Sequence, residues 1–480
     1  MRISEKMGLN KSRLELDFFD YEIDKDTFMF FDPYYIARKE DKFLKNCNEY
    51  LETFFNRFLF LLKRNENAAH DLFLHLGEVN EICLGMSKGK PAGKGIGRIN
   101  AERIFEAIKS SNAFQEEVAE NLEDIRLFID GIDKDKVSDM VANIIRLPLI
   151  DYTEQQCRLH NIQLTKRETG FYWDKQDWVR GHRDMLVLGD KTYLLFPRNL
   201  VTNSKYYSAS TYFKTYILNF YQQRNLEEDT ALVRKTYKNG IVINSRVFKK
   251  DIEKDFETKG IVITKDWIAR FTKENPEVFE KFRKETINKI VADNSRSLEQ
   301  EETDDIIDVL INELSQIEFG DKDATRYHHL ISGILQLLFY PQIAHPRIEE
   351  GIHEGRKRID IVFDNIAEKG FFFRLGTLYN VPCSMIMVEC KNYSKDIANP
   401  ELDQMAGRFS AVRGLFGIIC CRSLDNKELF LKKERDTVYD RRGWIIHLTD
   451  EDIINLLINL KNGISFDDYL VQKFSEINSK

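Results

Sequence analysis

The segment MIMVECK, residues 385–391, joins an apolar run directly to charged residues. Its first four residues are apolar and no Gly or Pro interrupts it, which predicts a buried strand of a parallel sheet. Glu389 and Lys391 end the segment, and residues two apart on an extended chain point to the same side. A core strand that ends with a carboxylate and an ammonium group on one side indicates a polar site at the edge of a sheet.

The composition of the chain limits the classes of function that such a site can serve. At 480 residues the chain is long enough for about three domains. Its net charge of −7 excludes a uniformly basic nucleic-acid binder, so any such surface must be local. The sequence has no apolar run of membrane-spanning length and no signal-peptide pattern, which predicts a cytoplasmic protein without a membrane partner. Its seven cysteines are scattered without a CxxC pair, which argues against a disulfide framework and a cysteine zinc site.

Three regions are predicted along the chain. The predicted fold class is α/β, and the chain as a whole is α+β because helical and mixed regions precede the C-terminal sheet. Residues 1–148 are predicted to be mostly helical, because apolar and aromatic residues recur there at helical spacing. Residues 149–298 are mixed, with a hairpin predicted at 184–197 around a Gly-Asp turn. Residues 299–480 alternate helices and short apolar strands, which predicts a mixed sheet flanked by helices. The segment GFFFRL, residues 370–375, is predicted as a further strand of this last region.

An acidic residue inside another predicted strand completes the candidate site. RIDIVF places Asp360 between two isoleucines, where a charge is costly unless it is paired or binds a cation. If the two strands are neighbours, the carboxylates of Asp360 and Glu389 converge. With the backbone carbonyl of Cys390 they would suit Mg²⁺ or Mn²⁺, which keeps several waters. Lys391 would then orient a metal-bound water or stabilise charge on a phosphate.

These residues resemble the PD-(D/E)xK nuclease superfamily, whose fold is the restriction-endonuclease-like sheet. The resemblance covers about residues 325–450 and implies catalytic roles for Asp360, Glu389 and Lys391. It also implies a role for Gln404, because several branches of the superfamily carry a Gln on the helix after the ExK strand. Ile359 replaces the proline of the motif, which is a frequent variation. Some members add an acidic residue or a histidine from the first helix or strand, and four candidates stay open here: His328, His329, Glu349 and Glu350.

Several basic residues are candidates for contacts with nucleic acid. Arg408 follows Gln404 by one helical turn and shares its face, and Arg358 lies two residues before Asp360. Lys94 and Arg98 belong to a Gly- and Lys-rich segment, residues 85–98. That segment does not fit the GxxxxGK[ST] pattern, so an NTPase is not predicted. Its cations would contact a nucleic-acid backbone, and a surface loop without a function is the alternative.

The sequence therefore predicts a metal-dependent endonuclease that acts on DNA. By analogy, a chain that joins a nuclease core to unfamiliar regions and has no motor resembles bacterial proteins of restriction or of defence against phage or foreign DNA. We expect a homo-oligomer, because one site of this kind cuts one strand and duplex cleavage needs two sites. Whether a partner protein activates or restrains the nuclease is left open by the sequence. Two alternatives remain: an RNA-directed nuclease, and a non-catalytic module that binds nucleic acid or protein through a nuclease-derived fold.

Overall fold

Helices dominate the N-terminal part of the chain, as predicted. The computed structural model describes residues 1–24, 26–77, 79–85, 98–111, 121–203, 206–238, 241–294, 300–352 and 357–478. The long helix α3 forms because its apolar residues fall on one face, and Asp41 caps it by accepting from the Leu44 amide. The elements of this part are α1 (Ile3–Lys6), β1 (Phe30–Phe31), α2 (Pro33–Ile36), α3 (Lys42–Leu62), α4 (Glu66–Phe73), α5 (Arg98–Ser110), a 3₁₀ turn (Leu122–Asp124), α6 (Ile125–Phe128), α7 (Lys134–Ile144) and α8 (Arg146–Leu159).

The middle part mixes small sheets with helices. Its first sheet is an antiparallel meander in the order β2-β3-β4, and the predicted hairpin turn lies between β3 and β4, with Gly189 at a φ of +69°. The elements are β2 (Thr165–Trp173), β3 (Trp178–Leu188), β4 (Lys191–Tyr193), a 3₁₀ turn (Arg198–Leu200), β5 (Val201–Thr202), α9 (Ala209–Thr211), a π-helical turn (Tyr212–Ile217), α10 (Leu218–Glu227), β6 (Arg234–Lys238), β7 (Ile241–Arg246), α11 (Lys249–Thr258), α12 (Lys265–Glu274) and α13 (Pro276–Asn294).

One hydrophobic cluster joins the N-terminal helices to the meander. It runs from Ile3 to Val201, and within it α8 packs on β3 while the short strands β1 and β5 pair with each other. The cluster thus extends across residue 148, where the sequence suggested a boundary. The division into 1–148, 149–298 and 299–480 stays a prediction.

The C-terminal part contains a five-stranded mixed sheet flanked by helices, which confirms the predicted class. The strand order is β12-β11-β10-β9-β8; β10, β11 and β12 run parallel, while β8 and β9 pair antiparallel. The elements are α14 (Gln300–Ser315), a 3₁₀ turn (Asp321–Asp323), α15 (Ala324–Phe339), β8 (Ile343–Ile352), β9 (Lys357–Asn365), α16 (Gly370–Thr377), β10 (Met385–Lys391), α17 (Asn399–Ala406), β11 (Phe416–Cys421), α18 (Lys427–Tyr439), β12 (Trp444–Thr449), α19 (Asp450–Lys461) and α20 (Asp467–Asn478).

The segment GFFFRL is a helix, so the predicted strand is wrong. Phe371, Phe372 and Leu375 are fully buried, whereas Phe373 is 42% exposed. Burial at positions i, i+1 and i+4 is helical spacing, because a strand would bury alternate residues. The aromatic run therefore fills the core from one side of α16.

The two faces of the mixed sheet pack against different helices, and this arrangement positions the candidate site. Val388 and Cys390 belong to the cluster that contains the residues of α15, whereas Met387 packs with Leu402 and Met405 of α17. Because side chains alternate along a strand, Glu389 and Lys391 lie on the same face as Met387. The charged pair that ends β10 is therefore on the α17 side of the sheet.

Candidate active site at the end of β10

Asp360 lies beside the charged end of β10. The strands β9 and β10 are antiparallel neighbours, and Ile361 pairs with Val388. Continuing this register by one residue places Asp360 opposite Glu389, and directly opposed residues share a face of the sheet. The backbone amide of Cys390 donates a hydrogen bond to Oδ2 of Asp360 at 2.9 Å. The structure thus brings together the two carboxylates that the sequence singled out.

Glu389 is a fully buried carboxylate surrounded by cations. It has no exposed surface, and each of its two oxygens faces a cation. Lys391 Nζ lies 3.2 Å from Oε2, and the guanidinium of Arg408 forms an ion pair with Oε1. Burial lowers the pKa of Arg408, and the charge of Asp360 opposes that shift. Because a buried charge is costly unless it is paired, the carboxylate depends on these cations in the absence of another ligand.

The helix α17 and the turn after it contribute two side chains to the site. Gln404 accepts a hydrogen bond through Oε1 from Lys391 Nζ at 3.2 Å. Arg408 lies just beyond the end of α17, where its backbone amide donates to the carbonyl of Met405. Gln404 of the helix contacts Lys391, and Arg408 in the turn after the helix contacts Glu389, so both predicted residues lie at the charged end of β10.

Of the four residues left open by the sequence, His328 lies at the site. It comes from α15, and its Nε2 is 3.1 Å from the carbonyl oxygen of Cys390 and 3.9 Å from Oδ2 of Asp360. A carbonyl is only an acceptor, so the ring nitrogen facing Cys390 must carry the proton. The side chains of Glu349 and Glu350 lie outside the described residues. His329 is not among the described contacts of the site; burial lowers the pKa of His160 to about 3, and the charges of Lys11 and His329 add to that shift.

The residue after Lys391 fixes the end of β10, and sequence reasoning missed it. Asn392 donates to the carbonyls of Glu318 and Gly320, at 2.8 Å each. Its side-chain oxygen accepts from Arg422 at 3.0 Å, and Arg422 also pairs with Asp450 at 2.7 Å. These buried contacts fix the position of the backbone next to Lys391. The sequence signal was a polar residue directly after the ExK segment, but its partners come from distant segments.

Three predicted nucleic-acid contacts are not described by the structure. Arg358 is in β9, opposite Gly351, but its side chain is outside the described residues. Lys94 itself is outside them, and Arg98 begins α5 with a side chain that is not described. The roles of these three residues stay predictions.

The donor atoms at the site fit a hard divalent cation. In the described ranges, no group of three or more His, Cys, Asp or Glu side chains could hold a metal ion. Mg²⁺ needs only one or two carboxylates, because it keeps several waters. Asp360 and Glu389 supply such oxygens, and those of Glu389 lie beside Lys391 and Arg408. The competitor is Arg408, whose ion pair with Glu389 must give way for a cation to bind there.

Comparison with known proteins concerns mainly the N-terminal part. The family model of a domain of unknown function, DUF8370, matches residues 8–208. No curated protein and no solved structure matches the chain. The matched segment ends before the mixed sheet begins, so it carries no argument about the candidate site. Across the described residues, no helix has the length and apolar character needed to cross a membrane.

Proposed function

We propose that this chain is a metal-dependent endonuclease that hydrolyses phosphodiester bonds of DNA at the end of β10. One observation carries the proposal: the buried carboxylate of Glu389 lies opposite Asp360 and beside Lys391. Burying such a charge cluster for packing alone is unfavourable compared with apolar residues of similar size. A site for a divalent cation and a phosphate uses all three charged groups.

The residues of the site divide the work of phosphodiester hydrolysis. Asp360 and Glu389 would hold Mg²⁺ or Mn²⁺, with the Cys390 carbonyl as a third oxygen. When bound, the ion lowers the pKa of a coordinated water and neutralises charge on the phosphate. Lys391, held by Gln404, would donate a hydrogen bond that orients the attacking water or stabilises charge on a phosphate oxygen.

Two further residues prepare the site for a phosphate. His328 donates to the Cys390 carbonyl and so fixes the backbone between the two ExK side chains. Arg408, when it leaves Glu389, is available for a charge-assisted contact with a phosphate oxygen. We propose that the protein acts in the bacterial cytoplasm, in restriction or in defence against phage or foreign DNA. We also propose that it is a homo-oligomer, because a single site cuts one strand.

Cleavage assays test the proposed function. Purified protein is incubated with plasmid, duplex and single-stranded DNA and with RNA, in Mg²⁺, Mn²⁺ or EDTA. We expect metal-dependent cutting of DNA that falls by at least about 100-fold in Lys391→Ala and in Asp360→Ala. Lys395→Ala, an exposed lysine four residues away, is the matched control and should cut normally. Cutting in EDTA, or full activity of Lys391→Ala, would refute the assignment, and cutting of RNA alone would change the substrate.

A further inference from the structure

The β6–β7 hairpin of the middle part is basic and fully exposed. Every residue of both strands is exposed to solvent. The segment from Arg234 to Arg246 contains four basic residues and no Asp or Glu. In a chain with a net charge of −7, this hairpin is a local concentration of positive charge.

The basic residues are concentrated on one face of the hairpin. Arg234 lies directly opposite Arg246. The pairing shifts register between Thr236 and Tyr237, but the extra residue is on β7; side chains still alternate along β6, so Lys238 shares the face of Arg234. Arg234 is paired with Asp251 at 2.7 Å, but in the described part of the chain Lys238 and Arg246 have no acidic partner. The charges of Lys238 and Arg246 are therefore available to attract an anionic ligand.

The base of the hairpin is anchored while its strands project. Val247, directly after β7, is buried with Ile252 and Phe256 of α11, and Val233, directly before β6, packs against the same cluster. A two-stranded hairpin alone is marginally stable, so this base is what holds the two strands in place. The exposed part is therefore a supported ribbon presented to solvent.

We infer that the β6–β7 hairpin binds duplex DNA, with Lys238 and Arg246 on phosphates. The inference deepens the proposed nuclease function and rests on it for the choice of polymer. A two-stranded ribbon fits the major groove of B-form DNA, which is about 12 Å wide. The major groove of duplex RNA is too deep and narrow for it. On the opposite face, Tyr237 is 61% exposed and available for contact with sugars or thymine methyl groups.

Equilibrium binding without metal tests this inference. The probe is a fluorescein-labelled DNA duplex of about 30 base pairs, roughly three helical turns. Fluorescence anisotropy is measured in EDTA at several salt concentrations. The test variant is Lys238→Gln with Arg246→Gln, and the matched control is Lys166→Gln with Lys432→Gln. Both remove two exposed positive charges, and thermal melting checks that both fold.

We expect the hairpin variant to bind the duplex roughly ten-fold more weakly near 100 mM salt. The slope of log affinity against log salt should fall in magnitude by about two, and the control should match wild type. Equal affinities and slopes for the two variants would overturn the inference, as would failure of wild type to bind the duplex. Tighter, hairpin-dependent binding of an RNA duplex of the same sequence would also overturn it.

Failure of the inference is distinguishable from failure of the proposed function. Metal-dependent cutting by a hairpin variant that binds as wild type does would refute the inference and leave the nuclease intact. Hairpin-dependent binding together with no cutting of any substrate would support the inference and refute the nuclease.

Discussion

At the scale of single residues, Arg408 has the most informative position. The sequence suggested a phosphate contact, but in the structure its guanidinium is paired with Glu389, a carboxylate proposed to hold the metal. Cation and guanidinium compete for the same oxygens, so each should weaken the binding of the other. The side chain of Arg408 therefore stabilises the buried charge that the proposed metal would otherwise neutralise.

This competition can be measured without DNA. We expect Arg408→Ala to lower the free energy of unfolding in EDTA by about 3 kcal/mol, because it leaves Glu389 without one of its cations. Added Mg²⁺ should restore most of that loss in Arg408→Ala and change wild type much less. Arg374→Ala, an exposed arginine on α16, is the control. The free energy of unfolding is measured in denaturant with and without Mg²⁺. An equal effect of Mg²⁺ on wild type and on Arg408→Ala would exclude competition between Arg408 and the cation.

Gln404 acts on the proposed chemistry through Lys391. Its Oε1 accepts from Lys391 Nζ, and a hydrogen bond to a charged group is worth about 2 kcal/mol. We expect Gln404→Ala to slow single-turnover cleavage about ten-fold, with the Mg²⁺ dependence unchanged. Its neighbour Asp403 pairs with Arg442 at the surface, so Asp403→Ala is the control and should cut normally. An unchanged cleavage rate in Gln404→Ala would show that Gln404 does not position Lys391 for the reaction.

At the scale of elements, the sequence predicts strands better than it predicts what lies between them. Alternation and apolar runs identified β9 and β10, and their pairing brought Asp360 opposite Glu389. The aromatic run of α16 was misread because consecutive phenylalanines fit both a strand and a buried helix. The contact of His328 with the site depends on how α15 packs against the sheet, and a single sequence does not contain that packing.

The tight packing at the start of α16 can be tested by substitution of a glycine. Gly370 has a φ of +82°, and a β-carbon there would meet the side chain of Gln342, which bonds to Asp467 and to the Phe372 amide. We expect Gly370→Ala to lower the free energy of unfolding by about 2 kcal/mol. Gly376→Ala in the same helix meets nothing within 4 Å and should be neutral or stabilise by up to about 1 kcal/mol. Equal effects in denaturant unfolding would contradict the strain argument.

At the scale of the whole molecule, a buried ionic cluster joins the N-terminal part to the mixed sheet. His345 of β8 contacts Asp41 through Nε2 at 2.7 Å and Asp17 through Nδ1 at 3.5 Å. Tyr152 of α8 donates to Asp17 at 2.6 Å, and α8 also packs on β8. Asp17, Asp41 and Tyr152 lie inside the segment that matches DUF8370. That segment and the sheet of the candidate site therefore share one buried charge cluster.

The charges of this cluster determine how it responds to pH. Burial alone lowers the pKa of His345, but the charges of Asp41 and Asp17 outweigh it and hold that pKa well above 6.5. Burial alone raises the pKa of both aspartates, and the charge of His345 outweighs it, so both are lowered. The aspartates stabilise the fold above about pH 4, and the imidazolium does so fully below about pH 6.5. The contribution of His345 is lost as the pH rises through its raised pKa.

Replacing the histidine should therefore have a pH-dependent effect. We expect His345→Gln to lower the free energy of unfolding by about 3 kcal/mol at pH 6, because two buried aspartates lose their cation. The difference from wild type should shrink as the pH rises above the raised pKa of His345, where wild type also loses the charge. His182→Gln, an exposed histidine on β3, should differ little from wild type at any pH. A difference for His345→Gln that stays constant from pH 6 to alkaline pH would show that the residue acts by packing. A difference that shrinks as expected would mean that contact between the N-terminal part and the candidate nuclease sheet weakens on deprotonation of one buried side chain.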